Sequence, residues 1–220
     1  MSFKRAITEE QKNERRQKIL DSARSLFEQT DFKSITIEQI AQNSGIAKGS
    51  VFLYFKTKEE LFLYLTIEEL EKWNHEFDSK LENVGREKAL QTNELLDLVD
   101  STLIKNTVLI RLLAMLSATF EQNIGYEQAY HCKRIIYQRT ENTGLLLDRY
   151  VCFFQNGDGA KFYLFLYALI AGLYQMSNPP PVVKQVLQDM KLHGCHIDFR
   201  TYLLDMLKYL LDGMERGHVG

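Results

Sequence analysis

Residues 36 to 58 constrain this chain more than any other stretch. Thr36, followed three residues on by Gln39, is a capping-box pattern: the hydroxyl accepts a free backbone N–H and the Gln39 side chain reaches back. Ile37, Ile40 and Ala41 then fall at i, i+3 and i+4, one apolar face of a short helix. Ser44-Gly45 ends it, because glycine takes the left-handed conformation that a tight turn between steeply crossed helices needs. Ile46, Val51 and Phe55 resume an apolar face on a second helix. Ala41 is small where two helices cross closely. Ser44 departs from the pattern, since an apolar side chain would seal the turn better. Together these features predict a helix-turn-helix; a surface connector between two core helices is the plainer alternative.

The outer side of the second helix begins Lys48-Gly49-Ser50. A glycine inside an ordinary helix costs about 1 kcal/mol relative to alanine. Gly49 makes sense where the backbone must come close to something. Recognition helices point their N-terminal residues at base edges, and helix N-termini present N–H groups to phosphates. Base contacts are therefore expected from Lys48, Gly49, Ser50 and Leu53, whose tip can meet a thymine methyl. Lys48 serving a phosphate and Leu53 packing at the domain edge remain open. Tyr54 and Lys58 are the expected phosphate contacts, and Thr36 and Phe52 complete the DNA-facing set.

These residues carry a resemblance. Ile19-Leu20, Ala23 and Leu26-Phe27, then Thr36, Ile40-Ala41 and Ser44 to Ser50, then Tyr54-Phe55-Lys56-Thr57-Lys58-Glu59-Glu60-Leu61-Phe62 resemble the DNA-binding domain of TetR-family regulators. The resemblance covers about a quarter of the chain. It implies a bacterial, homodimeric, all-helical transcription regulator, usually a repressor released by a small ligand. Two departures stand out. Phe52 occupies a position where the family commonly has Tyr, which removes one hydroxyl from the phosphate contacts. Asp31 stands where glycine usually ends the first helix, and Asp tolerates the left-handed conformation better than most residues.

Charge distribution agrees in sign. The 220 residues carry a formal net charge of −2, which does not announce a nucleic-acid binder. Residues 1 to 60, however, hold 11 Lys and Arg against 9 Asp and Glu, leaving the remainder at −4. Cys132, Cys152 and Cys195 show no paired or metal-type spacing, and the first residues are polar and charged. Both features predict a cytoplasmic protein with packing cysteines and no secretory leader.

The expected fold class is all-α: a three-helix DNA-binding domain over residues 1–56, then a helical regulatory and dimerisation domain over 57–220. Residues 1 to 11 read as a tail whose Lys4-Arg5 brushes DNA or stays solvated. A first helix is expected from Lys12 to Gln29, with Arg15, Arg16 or Lys18 near a phosphate. Thr57 is the expected N-cap of a long helix to about Leu81, with Glu60 as its box partner. This helix is the expected mechanical link between the domains. Val84-Gly85-Arg86 reads as a loop. Helices follow at about 87–104, 107–123 and 126–149, the last broken near Gly144, then a turn-rich loop over 153–159.

From Phe162 to Val183 no charged residue appears. A membrane span needs about 20 apolar residues, and the apolar run is shorter and holds tyrosines. A helix apolar all round must be covered on all sides, here by its own core and a second copy. Ala168, Ala171 and Gly172 permit close approach, and the stripe of a last helix over 198–214, including Tyr202, Met206 and Leu210, completes an expected four-helix homodimer interface. TetR-family dimers resemble this arrangement. Pro179-Pro180-Pro181 stops one helix and starts a short one to about Leu192.

Aromatic residues crowd the middle of the chain. Phe120, Tyr130, Tyr137, Phe154, Tyr163 and Tyr167 are the candidate lining of a cavity for a small apolar effector, with solid core as the alternative for each. His193-Gly194-Cys195-His196 is locally dense, but a full ligand set is missing and no metal or cofactor is expected. There is no phosphate loop, dinucleotide turn, nucleophile elbow or zinc-protease pair, so an enzyme is not expected. The expected partners are double-stranded DNA, a second copy and the effector; an activator, or a helical protein-interaction module without a ligand, are the other readings.

Overall fold

The computed structural model describes residues 8–190 and 197–217. The order is α1 (Glu9–Gln29), a 3-10 turn (Phe32–Ser34), α2 (Ile37–Ser44), α3 (Lys48–Val51) and α4 (Lys58–Glu87). Then come α5 (Thr92–Val99) with a π-helical turn (Asp100–Ile104), and α6 (Thr107–Met115) with a second π-helical turn (Leu116–Phe120). α7 (Tyr126–Tyr150), α8 (Asp158–Ser177), α9 (Pro181–Asp189) and α10 (Phe199–Gly217) complete it. Among the described residues no sheet forms; one isolated parallel bridge joins Leu90 to Val151. No single described helix is long and apolar enough to cross a membrane.

Local chemistry sets most helix ends, and several differ from expectation. α1 begins three residues before Lys12, because Thr8 and Gln11 form a capping box of their own. Asp31 does not turn left-handed: the backbone at Thr30 and Asp31 is extended, with φ −147° and −85°. Thr57 caps α4 as expected, accepting from Glu60 N at 3.0 Å. The Glu60 carboxylate, however, accepts from Lys56 N, one residue further back. The expected loop at residues 84–86 lies inside α4, and the expected break at Gly144 lies inside α7. Both glycines serve close approach: the Tyr150 ring fills the space of a Gly85 Cβ, and Ala160 backbone fills that of Gly144. The Lys4-Arg5 pair and the His193–His196 stretch lie outside the described residues.

Two apolar clusters share α4. The head cluster joins Ile19, Phe27, Ile40, Val51 and Phe55 to Leu61, Phe62 and Leu65 of α4, and it extends into Val108, Leu112, Leu116 and Phe120. The body cluster takes Leu70, Trp73, Phe77 and Leu81 from the same helix and packs them on α5, α7, α8 and α10. The expected boundary at 56/57 thus falls at the start of α4, while the head's core continues past it into α6. Arg111 strengthens that join. It is the one charged residue of α6, and it donates to Phe27 O (2.6 Å) and Thr30 O (2.8 Å) with its guanidinium 4.1 Å above the Phe27 ring. α1 has no basic residue in its own last turn, so a cation from α6 satisfies its orphan carbonyls.

Candidate nucleic-acid interface

The α2–turn–α3 unit is built from short-range bonds. Gln39 N donates to Thr36 Oγ1 (3.2 Å) and Thr36 N donates to Gln39 Oε1 (2.8 Å), closing the capping box. Gly45 sits at φ 68°, ψ 23°, and Ile46 N donates back to Ala41 O at 3.0 Å. That six-residue return needs a left-handed residue at position 45. Ser22 Oγ donates to Ile40 O at 2.9 Å, locking α1 onto α2. α3 itself is short: its α-helical part ends at Val51, and Leu53 and Tyr54 continue it with tighter bonds to Ser50 O and Val51 O.

Val51 and Phe55 are fully buried, which turns the opposite face outward. That face carries Lys48, Gly49 and Ser50, then Phe52 at 46% exposure and Leu53 at 83%. Among the described residues nothing beyond its own helix lies within 4 Å of where a Gly49 Cβ would stand, so packing among them does not call for glycine there. Lys48 reaches Glu38 Oε2 at 3.3 Å in an exposed pair, which holds it only weakly. Tyr54 is half-buried beside the head cluster. Thr36 is occupied as the N-cap.

Lys58 departs from its expected role. Its Nζ donates to Phe32 O and Ile35 O, both at 2.8 Å, and sits 4.0 Å above the Phe32 ring. Partial burial lowers its pKa below the usual lysine value. Two of its three N–H bonds are therefore spent tying the 3-10 turn to α4, not aimed at a phosphate. Arg16 is likewise engaged, stacked over Tyr64 (4.6 Å) and Phe55 (5.3 Å), which leaves Arg15 and Lys18 as the exposed cations of that stretch.

Below the head lies a cavity of about 170 Å³. Its wall includes Leu70, Trp73, Leu113, Leu116, Tyr163 and Tyr167. Only Tyr163 and Tyr167 of the six expected aromatics line it. Phe120 is fully buried in the head cluster, its ring 5.2 Å from Phe32 and 5.7 Å from Phe62. Phe154 packs against Phe153 and Phe162 in the body core. Tyr130 and Tyr137 stand on the outside of α7, 58% and 66% exposed. Sequence reasoning missed Trp73 and Lys133 as wall residues; Trp73 carried a signal, as the single tryptophan in the α4 stripe. Among the described residues no group of three His, Cys, Asp or Glu could hold a metal ion.

α8 and α10 pack through Leu166, Ile170 and Leu173 against Leu203, Leu207 and Leu211. Their other faces are open: Ala168, Gly172, Tyr202 and Met206 are exposed and Leu210 is half-buried. Phe165, Met176 and Tyr209 extend this apolar surface.

Residues 19–65 match the family described as bacterial regulatory proteins, tetR family, and residues 67–218 match the tetracyclin repressor-like C-terminal domain. The chain is 37% identical over 82 residues to the HTH-type transcriptional regulator QacR of Staphylococcus aureus, 36% of this chain and 43% of that one. It is 36% identical over 56 residues to the uncharacterized HTH-type transcriptional regulator YfiR of Bacillus subtilis, 26% of this chain and 27% of that one. The matches thus span less than half the length of these curated relatives. The solved TetR family repressor AlkX from a Dietzia species shares the fold, with TM-score 0.53, 16% identity and coverage of 91% of this chain and 95% of that one.

Proposed function

The chain belongs to the TetR family of bacterial transcription regulators, and from that premise we propose that it is a homodimeric repressor, released from a palindromic operator by a small apolar effector. The observation that carries the DNA-reading role is the outward face of α3. Lys48, Gly49, Ser50 and Leu53 are presented to solvent there with little work inside the protomer, while Val51 and Phe55 fix the helix behind them. One such face reads only a few base pairs. A second copy, related by two-fold symmetry through the open α8 and α10 faces, reads a half-site about 34 Å away on the same side of the duplex. Because it acts on chromosomal DNA, the proposed place of action is the bacterial cytoplasm, and the role requires no catalytic step.

Release follows from the shared helix. α4 carries Thr57 beside the recognition segment at one end and Trp73 on the cavity wall further along. An effector that binds better to one tilt of α4 changes the spacing of the two α3 faces, and it shifts the equilibrium only by that difference in affinity. The test is fluorescence anisotropy on the duplex upstream of the protein's own gene, titrated with salt and competed with scrambled DNA. Tight binding that falls steeply with salt and survives scrambled competitor supports the reading. Weak binding shared equally with scrambled DNA opposes it.

A further inference from the structure

Among the described residues the cavity wall holds a single charged side chain, whose partner sits on the segment that touches the head. Lys133 lines the cavity, and its Nζ lies 2.7 Å from Glu121 Oε1. The Lys133 side chain is 61% exposed and that of Glu121 is 19% exposed, which places the cation at the mouth and the carboxylate under it. Among the described residues no carboxylate lines the cavity itself. The other polar groups of the wall are largely occupied. Trp73 Nε1 donates to Thr102 Oγ1, the Tyr163 hydroxyl to Asn74 Oδ1, and Thr140 Oγ1 to Ile136 O.

We propose that the cavity takes an anionic amphiphile, a carboxylate on an apolar body, whose head group replaces Glu121 on Lys133. This rests on the reading of the cavity as the effector site. An apolar cavity of about 150 Å³ holds benzene, so one of this size holds a body of roughly six to eight carbon atoms. An alcohol of the same length accepts from the ammonium only as a dipole, without a countercharge, and an ammonium meets Lys133 with like charge.

The exchange also has a path to the head. Leu116 lines the cavity and Phe120 packs on Phe32 and Phe62. Glu121 follows, and Asn123 O accepts from Thr57 Oγ1 (3.4 Å), the N-cap of α4. One stretch, residues 116–123, therefore touches the cavity, the ion pair and the start of α4. A bound anion that occupies Lys133 frees Glu121 and loosens this stretch from α7. That supplies the differential contact an effector needs.

Trp73, the only tryptophan, stands in the wall and reports occupancy by its own fluorescence. The experiment titrates octanoate, octan-1-ol and octylammonium into the full chain and into its Lys133→Met and Glu121→Gln variants. Octanoate is expected to bind about tenfold more tightly than octanol, because its carboxylate adds a full opposite charge to the hydrogen bond. Lys133→Met removes that preference, and octanol binding that persists through its apolar body shows that the variant is folded. Glu121→Gln tightens octanoate severalfold by removing its competitor. Equal affinity for octanoate and octanol, a preference for octylammonium, or a preference that survives Lys133→Met overturns the inference and leaves the effector cavity standing. Failure of all three probes to change Trp73 fluorescence overturns the cavity reading as well.

Discussion

Among the described residues no large apolar side chain is more exposed than Leu53, at 83%. Next to it, Lys48 is held only by an exposed ion pair. Neither arrangement contributes much to folding, and both suit a surface completed by DNA. Lys48→Ala should leave the melting temperature unchanged, weaken operator binding about tenfold and lower the log–log salt slope by about 1 if the ammonium meets a phosphate. An unchanged slope with relaxed preference at one base pair would assign it to base reading instead. Lys58 calls for the opposite outcome. Lys58→Met strands the Ile35 carbonyl and leaves Phe32 O with its bond from Ile35 N alone, at a cost of about 1–3 kcal/mol in head stability. Its salt slope should stay that of the wild type, and a slope reduced without loss of stability would restore the phosphate role. The capping box and the left-handed glycine at 45 were legible in the sequence because both are made within six residues. The fate of Lys58 was not, since its partners come from a turn more than 20 residues away.

Elements were legible where their own side chains end them. Thr36, Gly45 and Thr57 mark boundaries that the structure keeps. Glycine inside a helix misled the reading at 85 and 144, where the missing Cβ makes room for a neighbouring helix or ring. Such a requirement is tertiary and leaves no local trace. The two π-helical turns after α5 and α6 also went unforeseen, and the second one rotates Phe120 toward the head and away from the cavity. α7 shows the same limit: Ile136 and Thr140 line the cavity and Lys133 its edge, while Tyr130 and Tyr137, one turn to either side of Lys133, are exposed. Periodicity gives the stripes but not which stripe faces which neighbour. The open faces of α8 and α10 carry a prediction at this scale. Among the described residues nothing beyond its own helix lies within 4 Å of a Gly172 Cβ position, so Gly172→Glu should leave the protomer folded. In the proposed dimer it buries a charge, and sedimentation should report a monomer. A mass unchanged at dimer size would move the interface elsewhere.

At the scale of the whole molecule, the head and body are joined by two apolar clusters that share α4 and by α6, whose Arg111 reaches α1. The change from the helix-turn-helix pattern to the long apolar stretches was legible in the sequence. The continuity between them was not, because Arg111 meets α1 across 84 and 81 positions of chain. In the proposed mechanism, that continuity is what lets an event at Lys133 matter at α3. The central claim remains that two α3 faces read DNA by sequence. Its most direct test is selection of bound duplexes from a random pool by the wild-type protein, with Lys48→Ala run in parallel. The account predicts enrichment of a palindrome whose half-sites are separated by about one or more helical turns, and weaker enrichment for the variant. A pool that stays random after repeated rounds, while the protein still retains DNA at low salt, would contradict it.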